Sequence, residues 1–283
     1  MPAKNRSPVP LFQVDAFTSK PFRGNPAAVC LFEEFPEDHL LKDIAAEMNL
    51  SETAFLVHPG HGGPSSTAYE IRWFTPTVEV PLCGHATLAA SHVIFNELQE
   101  ARDNIEYASK SGRLSARREG KAITLDFPLN PPKVSSCPKD VLKALGIDKF
   151  NAAAISETAE MLLVEVESEE FLRSLSPDMS ALVESNREGL PFEGVIVTAP
   201  SKNYDFVSRY FGPWEGIDED PVTGSAHTVL APYWSQKLSK NEFRSFQASK
   251  RGGELSLRIS ERNRLDIIGE ACTVFMGKLF PWQ

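Results

Sequence analysis

Two stretches of the chain depart from ordinary amphipathic patterning. Residues 86–98 and 226–238 are apolar on most of their sides. At helical length that pattern predicts two helices buried in the middle of their domains, with Pro232 expected to kink the second. Residues 36–48 read differently. Leu40, Leu41, Ile44, Ala45 and Met48 form one stripe, which predicts an amphipathic helix with Pro36 in its first turn. The other apolar runs are short and read as strands, at 9–16, 27–32, 51–57, 69–74, 105–108, 114–118 and 123–127. The second half repeats the style. Short helices are expected at 139–145, 168–175 and 179–184, and strands at 152–155, 161–166, 194–198, 204–211, 243–247, 254–259, 264–268 and 272–278. Pro128, Pro131 and Pro132 make residues 128–133 the expected linker. The domains are therefore expected at 1–129 and 130–283, with the last strand free to pack back on the first domain.

The two halves share a string. Arg72-Trp73-Phe74-Thr75-Pro76 is followed by Gly84-His85-Ala86 and one apolar helix, and Arg209-Tyr210-Phe211-Gly212-Pro213 by Gly224-Ser225-Ala226 and the other. The spacing from Phe to Gly is ten residues in the first half (84 − 74) and thirteen in the second (224 − 211). Repetition in the same strand–loop–helix context predicts two pseudo-symmetric domains. Each would offer a helix start with unpaired N–H groups and roughly half a positive charge, suited to holding a carboxylate. Cys83 and His85 stand beside one start. Asp220, in the acidic loop expected over 218–225, stands beside the other.

Each of these residues also has a plainer role. Glu52 opens a strand; it is either a surface carboxylate or a partly desolvated general base. Asn25, in a Gly-Asn-Pro turn, either satisfies its own loop or faces a pocket. Cys83 reads as buried core or as a reactive thiol. His85 reads as a helix-capping side chain or as a catalytic one.

Composition narrows the function classes. The chain has 283 residues, 42% hydrophobic and 24% charged, with a net charge of −9. Acidity argues against nucleic acid and anionic membrane as partners, not against an anionic small molecule. Cys30, Cys83, Cys137 and Cys272 show no CxxC spacing, so neither a disulfide framework nor a zinc site is expected. His58 and His61 lack a nearby third ligand, so no metal is expected there. No apolar run has the length of a membrane span, and residues 1–8 lack the apolar core of a signal peptide. A cytosolic protein is expected. No phosphate loop, dinucleotide fingerprint or Gly-x-Ser-x-Gly elbow points to another chemistry.

Five motifs then carry a family resemblance: Phe22-Arg-Gly-Asn-Pro-Ala-Ala-Val29, Asn49-Leu-Ser-Glu-Thr-Ala-Phe55, Arg72-Trp-Phe-Thr-Pro76, Pro81-Leu-Cys-Gly-His-Ala-Thr87 and Glu219-Asp-Pro-Val-Thr-Gly-Ser225. In order and spacing they resemble the PhzF family of phenazine-biosynthesis-like proteins, within the diaminopimelate-epimerase-like superfamily. The look is nearest to the eukaryotic phenazine-biosynthesis-like-domain proteins. The resemblance implies an α+β fold of two pseudo-symmetric domains, each a curled, mostly antiparallel sheet or barrel around a central helix. It also implies an active site between them, a homodimer, and isomerase chemistry with no cofactor and no metal.

In PhzF a glutamate moves a proton within trans-2,3-dihydro-3-hydroxyanthranilic acid, and its position matches Glu52. The family's histidine, aspartate and serine match His85, Asp220 and Ser225. Backbone amides at Gly84 and Gly224 would help hold a small carboxylate substrate, with Asn25 alongside. The related epimerases and racemases use paired cysteines, of which Cys83 matches one; the second position is read as Asp220-Pro221. Two other readings compete: a racemase or epimerase using Cys83 with a carboxylate, and a non-catalytic partner-binding protein.

Overall fold

The computed structural model describes residues 7–58, 68–100, 102–185, 191–260 and 262–281. The His58–His61 pair expected not to bind a metal therefore lies partly outside the described residues. Contacts divide the chain into two compact units, residues 1–126 with 269–283, and residues 127–268.

In the first unit, Val9–Ala16 pairs antiparallel with both Asn25–Phe32 and Ala271–Leu279. Asn25–Phe32 runs parallel to Glu52–Val57, which pairs antiparallel with Tyr69–Phe74. Tyr69–Phe74 then pairs antiparallel with Glu79–Val80 and parallel with Asn104–Ser109. Antiparallel pairings with Gly112–Glu119 and Ala122–Pro128 follow. The helix Gly84–His92 packs against Val9–Ala16, Asn25–Phe32, Glu52–Val57 and Ala271–Leu279. Strands on several sides explain why it carries no polar face: every residue from His85 to His92 is buried.

The second unit repeats this order of pairings. Ala152–Ser156 pairs antiparallel with Met161–Glu165, which is parallel to Gly194–Pro200. Phe206–Gly212 pairs antiparallel with Gly194–Pro200 and with Ile217–Asp220, and parallel with Glu242–Gln247. Two antiparallel pairings, to Gly253–Ser260 and on to Arg264–Gly269, complete the series. Gly224–Leu238 is the matching buried helix, with Pro232 inside one helical run. The expected α+β architecture, mostly antiparallel sheet with one central helix per repeat, is the one observed. No described helix is long and apolar enough to cross a membrane.

Several expected boundaries change. The first buried helix ends at His92 and continues as a π-helical turn, Val93–Glu97, where the Leu98 N–H reaches the Val93 carbonyl. The amphipathic helix is Asp38–Met48 with Glu37 as its N-cap, so Pro36 lies before its first turn. The proline-rich stretch is not a free linker. Leu129 N–H bonds to the Asn263 carbonyl, Asn130 N–H to that of Thr228, and Lys133–Val134 is a strand paired with Ala152–Ser156. The acidic stretch after residue 216 is not all loop, because Ile217–Asp220 is a strand against Phe206–Gly212.

Candidate active site

Four of the expected residues come together in the first unit. Asp15, almost wholly buried, accepts the Phe22 N–H at 2.6 Å and ties down the turn that follows the first strand. Gly24 closes that turn with φ +62°, and Asn25 starts the next strand with no exposure. The Asn25 amide reaches beyond its own turn. Its Nδ2 lies 3.2 Å from His85 Nδ1, sixty residues away in sequence, and its Oδ1 accepts from Ser51 Oγ at 3.4 Å. With the amide in this orientation Nδ2 donates to Nδ1, in the tautomer that carries the ring proton on Nε2. His85 Nε2 lies 3.2 Å from Glu52 Oε2. Burial pushes the His85 imidazole down to about 3, so the ring is neutral at physiological pH.

Glu52 is the first residue of its strand and keeps 14% of its side chain exposed. It is a carboxylate at the mouth of an apolar strand, and its Oε2 lies close to the imidazole Nε2 without hydrogen-bond geometry. Cys83 approaches the other side of the ring, with Sγ 3.5 Å from Nδ1. One ligand atom each from Glu52, Cys83 and His85 lies within 4.8 Å of the others. Thiol and carboxylate nevertheless address different ring nitrogens, and Nδ1 already takes the Asn25 amide. Groups spread around the ring in this way suit an acid–base set better than three ligands converging on one ion.

Cys83 is the N-cap of the helix Gly84–His92 and makes no side-chain capping bond. The first-turn amides of Gly84 and His85 therefore have no side-chain acceptor from the cap residue, which leaves them suited to an anion. Thr223 holds the same place before Gly224–Leu238, also without a side-chain capping bond.

Counting back from each helix aligns the halves. Glu79 and Glu219 each precede the first helical glycine by five residues (84 − 79 and 224 − 219), and the extra residues of the second half fall in the turn containing the short helix Pro213–Glu215. Cys83 is thus matched by Thr223, and Asp220 by Val80. This corrects the reading of Asp220-Pro221 as the counterpart of the thiol.

Asp220 is buried, and its Oδ2 accepts from the Thr223 hydroxyl at 2.5 Å. Gln247, wholly buried, accepts the Thr223 N–H and donates to the Asp220 carbonyl and the Thr223 hydroxyl, so it fastens the lead-in to the second helix. Ser225 is exposed at that helix start, and Gly224 is buried. Sequence reasoning missed Ser51, Thr223 and Gln247. The first two lie inside quoted motifs, whereas Gln247 carries no local signal. Only the parallel pairing of Ser208 with Gln247 brings it there.

His227 is buried in the second unit and donates from Nδ1 to the Thr223 carbonyl at 2.8 Å. Burial pushes it down to about 4 against the opposing effect of that carbonyl. An unfolded chain takes up this proton near 6.5, the folded one only near 4. The stabilisation is therefore full above about pH 6.5 and is lost as pH falls toward 4, at up to about 1.4 kcal/mol per pH unit. We expect the urea midpoint to fall between pH 7 and pH 5, and the fall to be shallower in His227→Asn. An unchanged slope in that variant would assign the proton uptake elsewhere.

The chain matches the family model of phenazine biosynthesis-like proteins over residues 14–277. It is 46% identical to an uncharacterized isomerase of Pseudomonas aeruginosa over 269 residues, covering 95% of this chain and 98% of the relative. It is 43% identical to the phenazine biosynthesis-like domain-containing protein of Homo sapiens, covering 96% of this chain and 99% of the relative. Among solved structures it resembles a PhzF-family phenazine biosynthesis protein of Enterococcus faecalis, with 39% identity, a TM-score of 0.89, and coverage of 97% of this chain and 100% of the other. A hydroxyproline epimerase from Agrobacterium vitis, 11% identical with a TM-score of 0.60 and coverage of 98% and 93%, shares the fold.

Proposed function

This chain belongs to the phenazine biosynthesis-like (PhzF) family, and on that premise we propose an isomerase that moves a proton on a small carboxylate-bearing substrate, with Glu52 as general acid/base. The observation that carries the reading is the line Asn25–His85–Glu52. A buried asparagine contacts Nδ1 of the histidine, and the neutral ring brings its Nε2 to 3.2 Å from a partly exposed carboxylate. A carboxylate so placed takes a proton from carbon and returns it elsewhere, while His85 holds it in position. The first-turn amides of Gly84 and His85 hold the substrate carboxylate and the charge that develops on proton removal. In the second unit, Asp220 is the supporting proton-handling group, with Gly224 and Ser225 as further carboxylate holders. None of these steps calls for a cofactor. A cytosolic homodimer is part of the same proposal.

The test is deuterium incorporation from D2O into a small carboxylic acid carrying an acidic C–H, comparing native protein with Glu52→Gln. Undiminished exchange in the variant ends the assignment.

The position of Cys83 favours a second reading, in which its thiol, 3.5 Å from His85 Nδ1, exchanges the proton instead. We expect Cys83→Ser to keep turnover within about tenfold of native, since a serine in that place leaves Glu52 and His85 as they are. A loss of about a thousandfold or more would move the chemistry to the thiol.

A further inference from the structure

Each helix start is preceded by a glutamate that an arginine on the neighbouring strand grips with two nitrogens. In the first unit Arg72 Nε and Nη2 donate to the two Glu79 oxygens, both at 2.7 Å. In the second, Arg209 Nε and Nη2 donate to the Glu219 oxygens at 2.7 and 3.0 Å. Each guanidinium lies over the phenylalanine two residues further on, 5.0 Å from the Phe74 ring and 4.9 Å from that of Phe211. In both, Nη1 reaches out to a packed helix. Arg72 bonds to Asp38, the first residue of Asp38–Met48, and Arg209 to the carbonyls of Leu172 and Leu175 at the end of Glu169–Ser174. The two arginine side chains are only 12% and 11% exposed. Exposed single ion pairs contribute little, but a planar, bidentate, aromatic-backed and largely buried one fixes geometry.

The far side of each helix start is closed as well. The Thr87 hydroxyl bonds to the Cys83 carbonyl, and His227 Nδ1 bonds to the Thr223 carbonyl, each from the fourth helical position back to the N-cap residue. Two different side chains thus make one contact in the two units, as the two Arg–Glu pairs do upstream.

We propose that Arg72 and Arg209 are positioning residues. Through Glu79 and Glu219 they fix the short strand that leads into each helix, and with it the direction of the first-turn amides. This rests on reading those amides as carboxylate holders, whose use depends on being aimed before the substrate arrives. Neither arginine is needed as a contact to the substrate, and lysine at either place would keep the charge but lose the fork.

The experiment uses the full-length, 15N-labelled protein with Arg72→Lys and Arg209→Lys. In Arg72→Lys the Gly84 and His85 amide resonances are expected to shift. The Thr87 amide, hydrogen-bonded to the Cys83 carbonyl, should exchange with solvent about tenfold faster, while Gly224, Ser225 and His227 stay as in the native protein. Arg209→Lys should give the mirror result. Helix-start amides that do not respond, or a loosening spread evenly over the strands of the unit, would overturn the proposal. If a lysine variant fails to fold, Glu79→Gln and Glu219→Gln give the same readout with the volume kept. Amide exchange needs no substrate, so failure here and failure of the isomerase reading are separately visible.

Discussion

The Glu52→Gln protein is expected to fold as the native chain does and to lose about a hundred- to ten-thousand-fold in turnover. Glutamine has the shape of glutamate, so the side chain keeps its place 3.2 Å from His85 Nε2. The residue lies at the start of its strand, opposite Ala27 in a parallel pairing whose register depends on the apolar residues that follow. What is lost is proton affinity, since an amide cannot take a proton from carbon at neutral pH. The thermal midpoint should therefore move little while exchange into substrate collapses. Glu52→Asp should fall between the two, because the carboxylate is kept but drawn back by about 1.5 Å, one C–C bond. Turnover of Glu52→Gln within tenfold of native would place the base elsewhere, with Cys83 the first residue to test.

The second large effect concerns stability. Gly24 sits at φ +62°, and a Cβ there would lie 2.1 Å from the Ala16 carbonyl oxygen and 2.8 Å from Thr18 Cγ2. The first of these contacts is with backbone, in a strand paired on both sides, so the carbonyl cannot step aside cheaply. The left-handed conformation alone costs a side-chain-bearing residue roughly 1–2 kcal/mol. With the clash added, Gly24→Ala is expected to lose about 3 kcal/mol or more, read as a lowered urea midpoint at constant m-value. Because Asn25 follows directly, the same change should also disturb the His85 ring it holds. A loss below about 0.5 kcal/mol would mean that the turn relaxes freely, and the positioning of Asn25 would need another cause.

The sequence disclosed the helix starts because they are local. Gly84-His85-Ala86 and Gly224-Ser225-Ala226 each precede an apolar run, and Glu52 stands at the head of another. The repeat was legible for the same reason, but its register was not. Strings compared from Phe74 and Phe211 forward miss the turn that lengthens the second half, and so Asp220 took the place that belongs to Thr223. The acidic segment looked like loop because Asp and Glu disfavour strands. Its pairing with Phe206–Gly212 and the grip of Arg209 on Glu219 override that preference. For Asn25 the residues alone left a turn role and a pocket role open, because its partner is sixty residues away. Pairings over such distances come from sheet topology, which no short motif carries.

The strand Ala271–Leu279 has a consequence for how the molecule is made. It lies beside Val9–Ala16, with Val9 opposite Leu279, 270 positions later (279 − 9). During synthesis the second unit is complete before this strand exists, and the first must wait with one edge of Val9–Ala16 unpaired. An open edge on a nascent chain invites pairing with other chains, and closing so long a loop is slow. The second unit, which needs no strand from so far along the chain, should thus acquire protease resistance before the first when the denatured protein refolds.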